Sequence, residues 1–142
     1  MQIIGFNFTK ISCERKKDPS GKLEIKSNID LKNIAQEKLD LIKDKEVLKF
    51  TFEFTIEYSP DTAVLKFEGA ILAILEKDAI KETLKKWKTK KIPDEIRLPL
   101  FNTILTKCNL KALQMEEEFN LPTHVPMPRL APPQDKGQGY VQ

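Results

Sequence analysis

The sequence holds one histidine, two cysteines and three arginines in 142 residues, and each scarcity removes a class of chemistry. His124 stands alone in a proline-rich stretch, with no acidic neighbour and no second ligand at helical spacing, so it makes a poor base or metal ligand. Cys13 and Cys108 share no metal-ligand spacing and have no histidine to activate them. They read as small buried side chains of a reducing compartment. With only Arg15, Arg97 and Arg129 as arginines, the positive charge is mostly lysine, the weaker choice for bidentate phosphate or base recognition. The five glycines are scattered and form no phosphate-cradling loop, and no serine sits in an elbow motif. The sequence therefore offers no catalytic residue, no metal site and no cofactor motif, and an enzyme is not expected.

Long apolar runs are missing as well. The longest, Ala70 to Leu75, is far too short to span a bilayer. The opening MQIIGFNFTK lacks the basic lead and apolar core of a secretory signal, so a cytoplasmic protein without membrane insertion is expected. The net charge of +3, from 24 basic and 21 acidic residues, is too balanced to argue for nucleic acid by itself. The length suits one domain with a real core.

What the sequence does contain is alternation. In VLKFTFEFTIEY, Phe50, Phe52, Phe54, Ile56 and Tyr58 share one face, and Lys49, Thr51, Glu53, Thr55 and Glu57 share the other, as in a half-buried strand. Ser59-Pro60-Asp61-Thr62 reverses the chain, and AVLKFEGAILAIL runs back. Its turn-proximal half alternates. After Gly69 every residue from Ala70 to Leu75 is apolar, so a helix, a second subunit or a client must cover Ala70, Leu72 and Ile74. Gly69 reads equally as a bulge or as a tolerated glycine.

Two strands precede this hairpin. Residues 2–13 place Ile4, Phe6 and Phe8 on one face. Residues 22–32 place Leu23, Ile25, Ile29 and Leu31 opposite Glu24, Lys26, Asn28, Asp30 and Lys32. Between them lies the polar loop Glu14–Gly21; Asn33–Glu46 reads as a polar connector able to hold a helical turn. Beyond the hairpin the period changes to 3.6. Asp78 is a candidate N-cap, with Ile80, Leu84 and Trp87 on one helical face. Lys88–Pro93 ends that helix. A longer one is expected from about Leu98, with Pro99 at its first position and a wide stripe of Leu100, Phe101, Ile104, Leu105, Cys108, Ala112 and Met115. It should end at Glu116–Glu118, read as a solvated helix end. Five of the nine prolines then fall between Pro122 and Pro133. The expected organisation is a single α+β domain over residues 1–120, followed by a proline-rich extended crossover and a disordered tail over 121–142.

Two surface features stand out. Lys81, Lys85, Lys86, Lys88, Lys90 and Lys91 surround Trp87. They read as the solvated face of an amphipathic helix with Trp87 in the core, or alternatively as a nucleic-acid-binding patch over 81–91. The other is apolar surface in excess of what a small monomer needs: the far half of the fourth strand, the wide helix stripe and the tail anchors. It suggests an oligomer interface or a binding groove; a proline-rich tail that docks a partner is the adaptor reading.

The order of elements carries a resemblance. A charged strand, KLEIKSNIDLKNIAQ, leads through a polar link into EVLKFTFEFTIEY; a strand ending in glycine and apolar residues follows, then the helix entry LPLFNTILTKC and the proline-containing link FNLPTHVPMPRL. Over residues 3 to 130 this resembles the SecB family of export chaperones and the SecB-like chaperones of some toxin–antitoxin systems. SecB proper is acidic where this chain is slightly basic, so the expectation is a SecB-like holdase. The resemblance implies a four-stranded antiparallel sheet with helices packed on one face, assembled as a dimer or dimer of dimers. It also implies ATP-independent holding of unfolded or non-native polypeptides in apolar grooves, without a cofactor and with nucleic acid disfavoured as a partner. Client contacts then fall on Phe6, Phe8, Phe52, Phe54, Phe119, Leu121 and Val125, with core packing the equal alternative for Phe52 and Phe54. Oligomer contacts fall on Leu72, Ile74, Phe101, Ile104 and Leu105.

Overall fold

The computed structural model describes residues 1–38 and 45–132. Four strands, β1 (Gln2–Arg15), β2 (Glu24–Glu37), β3 (Lys45–Ser59) and β4 (Ala63–Glu76), are followed by helices α1 (Lys77–Trp87) and α2 (Asp94–Glu118). The sheet has the order β1-β4-β3-β2 and every neighbouring pair is antiparallel. β1 and β2 are therefore the two edges. The chain between them crosses the tip of the β3–β4 hairpin, where the backbone N–H of Lys16 donates to the Thr62 carbonyl at 2.8 Å and the Lys16 ammonium meets Asp61 at 2.9 Å.

The alternation of β3 sets the core. Phe50, Phe52, Phe54, Ile56 and Tyr58 are all buried on one face, beside Leu65, Phe67, Ile71 and Ala73 of β4. Ile80 of α1 and Ile96, Leu100, Ile104, Cys108 and Ala112 of α2 join the same cluster, so both helices lie on that face. The fold is α+β, with helices on one side of an antiparallel sheet. On α2 the buried side chains recur every four residues, from Ile96 through Leu100, Ile104, Cys108 and Ala112 to Glu116. Each step of four turns the line by about 40° relative to the 3.6-residue helix. A narrow buried line thus winds along the helix, where the sequence suggested a wide stripe; Phe101 and Met115 are half-buried, and Leu98, Leu105 and Leu110 are exposed.

Several expected boundaries are corrected. β2 does not stop at Lys32. Its register with β3 slips between Leu31 and Asn33, a bulge that puts Lys32 out of step and returns Ile34 to the core face opposite Phe50. The residues expected to form a connector thus continue the strand to Glu37; Leu39, Leu41 and Ile42 lie outside the described residues. β1 has similar slips at Ile4 and Thr9, which leave Ile4 exposed. Glu76, not Asp78, is the N-cap of α1, and Asp78 sits in its first turn. Asp94 and Glu95 lie in the first turn of α2, where acidic side chains suit the helix dipole. The helix therefore begins four residues before Leu98 and runs through Pro99.

Cys108 is fully buried under α2, and burial pushes its thiol from the ordinary 9.0 up to about 12. Cys13 is half-buried on β1; burial raises its thiol, and Glu116 and Glu118 add to the rise. A small maleimide at about pH 8 is expected to label Cys13 slowly and to leave Cys108 intact until denaturant is added. Rapid native labelling of Cys108 would mean that α2 does not seal the sheet.

Candidate functional site

The residues named for client contact fall into three groups. Phe6 and Phe8 are half-buried on the β1 edge, their rings 5.1 Å apart and edge to face. Phe6 lies 5.4 Å from Phe52, and Phe8 lies 5.9 Å from Phe67. Phe52 and Phe54 are buried in the core, so the core reading holds for both and neither ring presents a surface. Phe119 and Val125 are half-buried and Leu121 is buried, all on or just beyond the end of α2. Among the residues named for an oligomer interface, Ile104 is fully buried against its own sheet, because it belongs to the winding line of α2. Phe101 is half-buried and Leu105 exposed on the helix surface. Leu72 and Ile74 are half-buried on the sheet face opposite the helices, beside the buried Ala70. No described helix lies over them.

The end of α2 is the clearest departure from the sequence reading. Asn120 adopts a left-handed conformation (φ 53°), the N–H of Leu121 donates to the Glu116 carbonyl at 2.8 Å, and that of Asn120 donates to Glu117. This left-handed cap turns the chain back over the sheet and buries Leu121. Glu116, expected in solvent, is fully buried instead. His124, expected to lack an acidic partner, donates from Nδ1 to a Glu116 carboxylate oxygen at 2.8 Å, and its Nε2 meets Asn109 Oδ1 at 2.7 Å. The backbone N–H of His124 also reaches Glu116 Oε1 at 3.3 Å. From β3, the Tyr58 hydroxyl shares its proton between Glu116 Oε2 at 2.8 Å and the Pro122 carbonyl at 2.6 Å. Burial, reinforced by the Glu116 hydrogen bond, pushes the Tyr58 phenol well above its ordinary range. No buried side-chain polar atom among the described residues lacks a partner. These groups clamp the crossover segment onto the sheet; in a closed, saturated arrangement they present no reactive atom to a substrate.

The open feature lies at the other edge. A cleft of about 660 Å³ runs between β2 and the α1–α2 connection, lined by Ile29, Leu31, Trp87, Ile92 and Phe101 together with several charged side chains. Trp87 is half-buried, and the Lys90 ammonium sits 4.6 Å from its ring centre. The Arg97 guanidinium sits 5.2 Å from the Phe101 ring. Lys81, Lys85, Lys86 and Lys88 are exposed, as a solvated helix face should be, while Trp87 forms a wall of the cleft. Among the described residues β2 pairs with β3 alone, so its outer edge carries backbone groups able to pair with another strand. Sequence reasoning named Trp87 but not the cleft, because its walls come from residues 29–32 and 87–101, and only the sheet order brings them together.

No family profile matches the chain, and no curated protein matches its sequence. Among solved structures, it is similar to the Mycobacterium tuberculosis Rv1957 SecB-like chaperone, solved in complex with a ChAD peptide from the Rv1956 HigA1 antitoxin. The similarity covers 94% of this chain and 92% of that one, with a TM-score of 0.53 and 18% sequence identity. Four antiparallel strands followed by two helices on one face, matched over nearly the whole length of both chains, make this a SecB-like fold.

Proposed function

We propose that this protein is an ATP-independent SecB-like chaperone of the cytoplasm that holds extended, non-native polypeptide segments in the cleft beside β2. The observation that carries the reading is a cleft of mixed apolar and charged walls, open along a strand that pairs on one side only among the described residues, on a fold shared with a peptide-bound chaperone. Main-chain pairing with β2 supplies sequence-independent affinity, and Trp87, Phe101, Ile29 and Leu31 supply apolar contact. Holding of this kind makes and breaks no covalent bond, so it requires no cofactor. The exposed Leu105 and the half-buried Leu72 and Ile74 support self-association as a dimer or dimer of dimers.

The test is suppression of aggregation of a chemically unfolded client at two salt concentrations, with static light scattering on the free protein. Holding should persist at moderate salt, and the protein should scatter as an oligomer. Trp87→Ala should weaken client binding by at least about tenfold, as loss of a central aromatic anchor does, while circular dichroism stays unchanged. A clean monomer without effect on aggregation would sink the reading.

The exposed Met127 and Leu130 support a second reading, docking of the proline-rich segment to a partner. The double variant Met127→Ser/Leu130→Ser tests that reading by removing the two exposed anchors, whereas truncation at 120 would remove Leu121 and His124 and so disturb the fold itself.

A further inference from the structure

We infer that the β2 cleft selects segments in which an aromatic or leucine side chain is flanked by acidic residues, an inference that rests on the cleft being the client site. Four cations and two carboxylates line it: Lys32, Lys90, Lys91 and Arg97 against Asp30 and Asp94. Asp30 is already paired with Lys32 at 3.1 Å. Among the described residues, Lys90, Lys91 and Arg97 take part in no ion pair within 4.0 Å. The cleft therefore holds an uncompensated positive charge next to its apolar floor.

The placement of these cations is specific. Lys90 lies over Trp87 and Arg97 lies over Phe101, so two of them rest on the rings that an incoming apolar side chain would contact. A cation on an aromatic face gains roughly 0.5–1 kcal/mol at an exposed site, little enough for a carboxylate to draw it away. An acidic segment thus both pairs with the cations and uncovers the rings, whereas a basic segment meets like charge and covered rings. One observation favours polypeptide over nucleic acid as the occupant: the outer edge of β2 offers main-chain partners that a phosphodiester backbone does not use.

The experiment uses the full-length protein and three fluorescein-labelled extended decapeptides that share one phenylalanine and one leucine. The flanking positions carry glutamate, glutamine or lysine. Fluorescence anisotropy at low salt is expected to rank them glutamate, glutamine, lysine, with about a tenfold gap between the extremes, as a few exposed ion pairs would give. The gap should narrow as salt rises and should reverse in the double variant Lys90→Glu/Lys91→Glu. Equal binding of all three peptides, lost in Trp87→Ala, would overturn the acidic preference and leave the holding reading intact. Suppression of client aggregation without binding of any peptide, and unaffected by Trp87→Ala, would remove the cleft from both. A labelled single-stranded oligonucleotide that outcompetes the glutamate peptide would overturn the inference in favour of a nucleic-acid surface.

Discussion

Replacing His124 with alanine is expected to lower the stability of the protein by about 3–5 kcal/mol, the cost of leaving one member of a buried pair without its partner. Glu116 is fully buried and the His124 side chain nearly so. With the imidazole gone, the carboxylate retains one shared phenol proton and a long backbone contact. Neither replaces the 2.8 Å bond from Nδ1. Glu116→Gln keeps the shape and should cost about 1–3 kcal/mol, because the amide introduces a donor that faces other donors. The double variant Glu116→Met/His124→Leu should recover much of the loss, since paired apolar groups of similar volume carry no desolvation penalty. Urea denaturation of the four proteins measures all three values. A His124→Ala protein within about 1 kcal/mol of the parent would show that the crossover segment is held by Leu121 and Val125 alone.

Gly69 is the second position of large effect. A Cβ placed there would lie 2.5 Å from the Asn7 carbonyl oxygen and 2.7 and 2.9 Å from two ring carbons of Phe52. The oxygen belongs to the paired strand β1, and Phe52 is fixed between sheet and helix, so neither can give way cheaply. Gly69→Ala should therefore cost about 3 kcal/mol, at the upper end of ordinary overpacking, and lower the melting temperature by about 10 °C. Gly5→Ala is the control, because its Cβ would meet only Leu72 side-chain atoms at 3.7 to 3.9 Å. It should change stability by well under about 1 kcal/mol. Trimming the ring with Phe52→Leu should restore part of the loss in the Gly69→Ala background. If Gly69→Ala melted with the parent, β1 would have to move away from β4 at low cost at the register slip beside the Phe8–Gly69 pair.

Gly69 also illustrates what the sequence could and could not reveal. The glycine was visible, and so was the change in alternation after it. The need for it was not, because that need arises from a ring seventeen positions earlier and a carbonyl on β1. β3 is legible nearly to the residue, since strict period 2 over a dozen positions leaves little choice of face, and β4 follows from the Pro60 turn and the apolar run that returns from it. β2 was cut short because one bulge at Lys32 shifts the period by one residue and makes a continuing strand look like its end. Pro99 marked the wrong helix start, as it is tolerated just inside α2 once Asp94, Glu95 and the buried Ile96 have fixed the first turn. The buried role of Glu116 was illegible: three consecutive glutamates look solvated, and only the left-handed turn at Asn120 returns His124 to meet the first of them. The cleft was half legible. Trp87, Lys90 and Lys91 stand together in the sequence, but Arg97 and Phe101 come from the next helix and the other wall is a distant strand.

The bulge at Lys32 has one more effect. Regular pairing between β2 and β3 runs from Glu24 to Leu31 before the register slips. A guest strand laid along the free side of β2 meets the same interruption, because a bulge bends the strand and breaks the even spacing of its free groups. At about 3.4 Å per residue, that stretch measures roughly 27 Å. On the proposed reading the edge would act as a ruler: it would accept one short extended segment and then stop, so that an open strand could be offered to other chains without growth into a fibre along it.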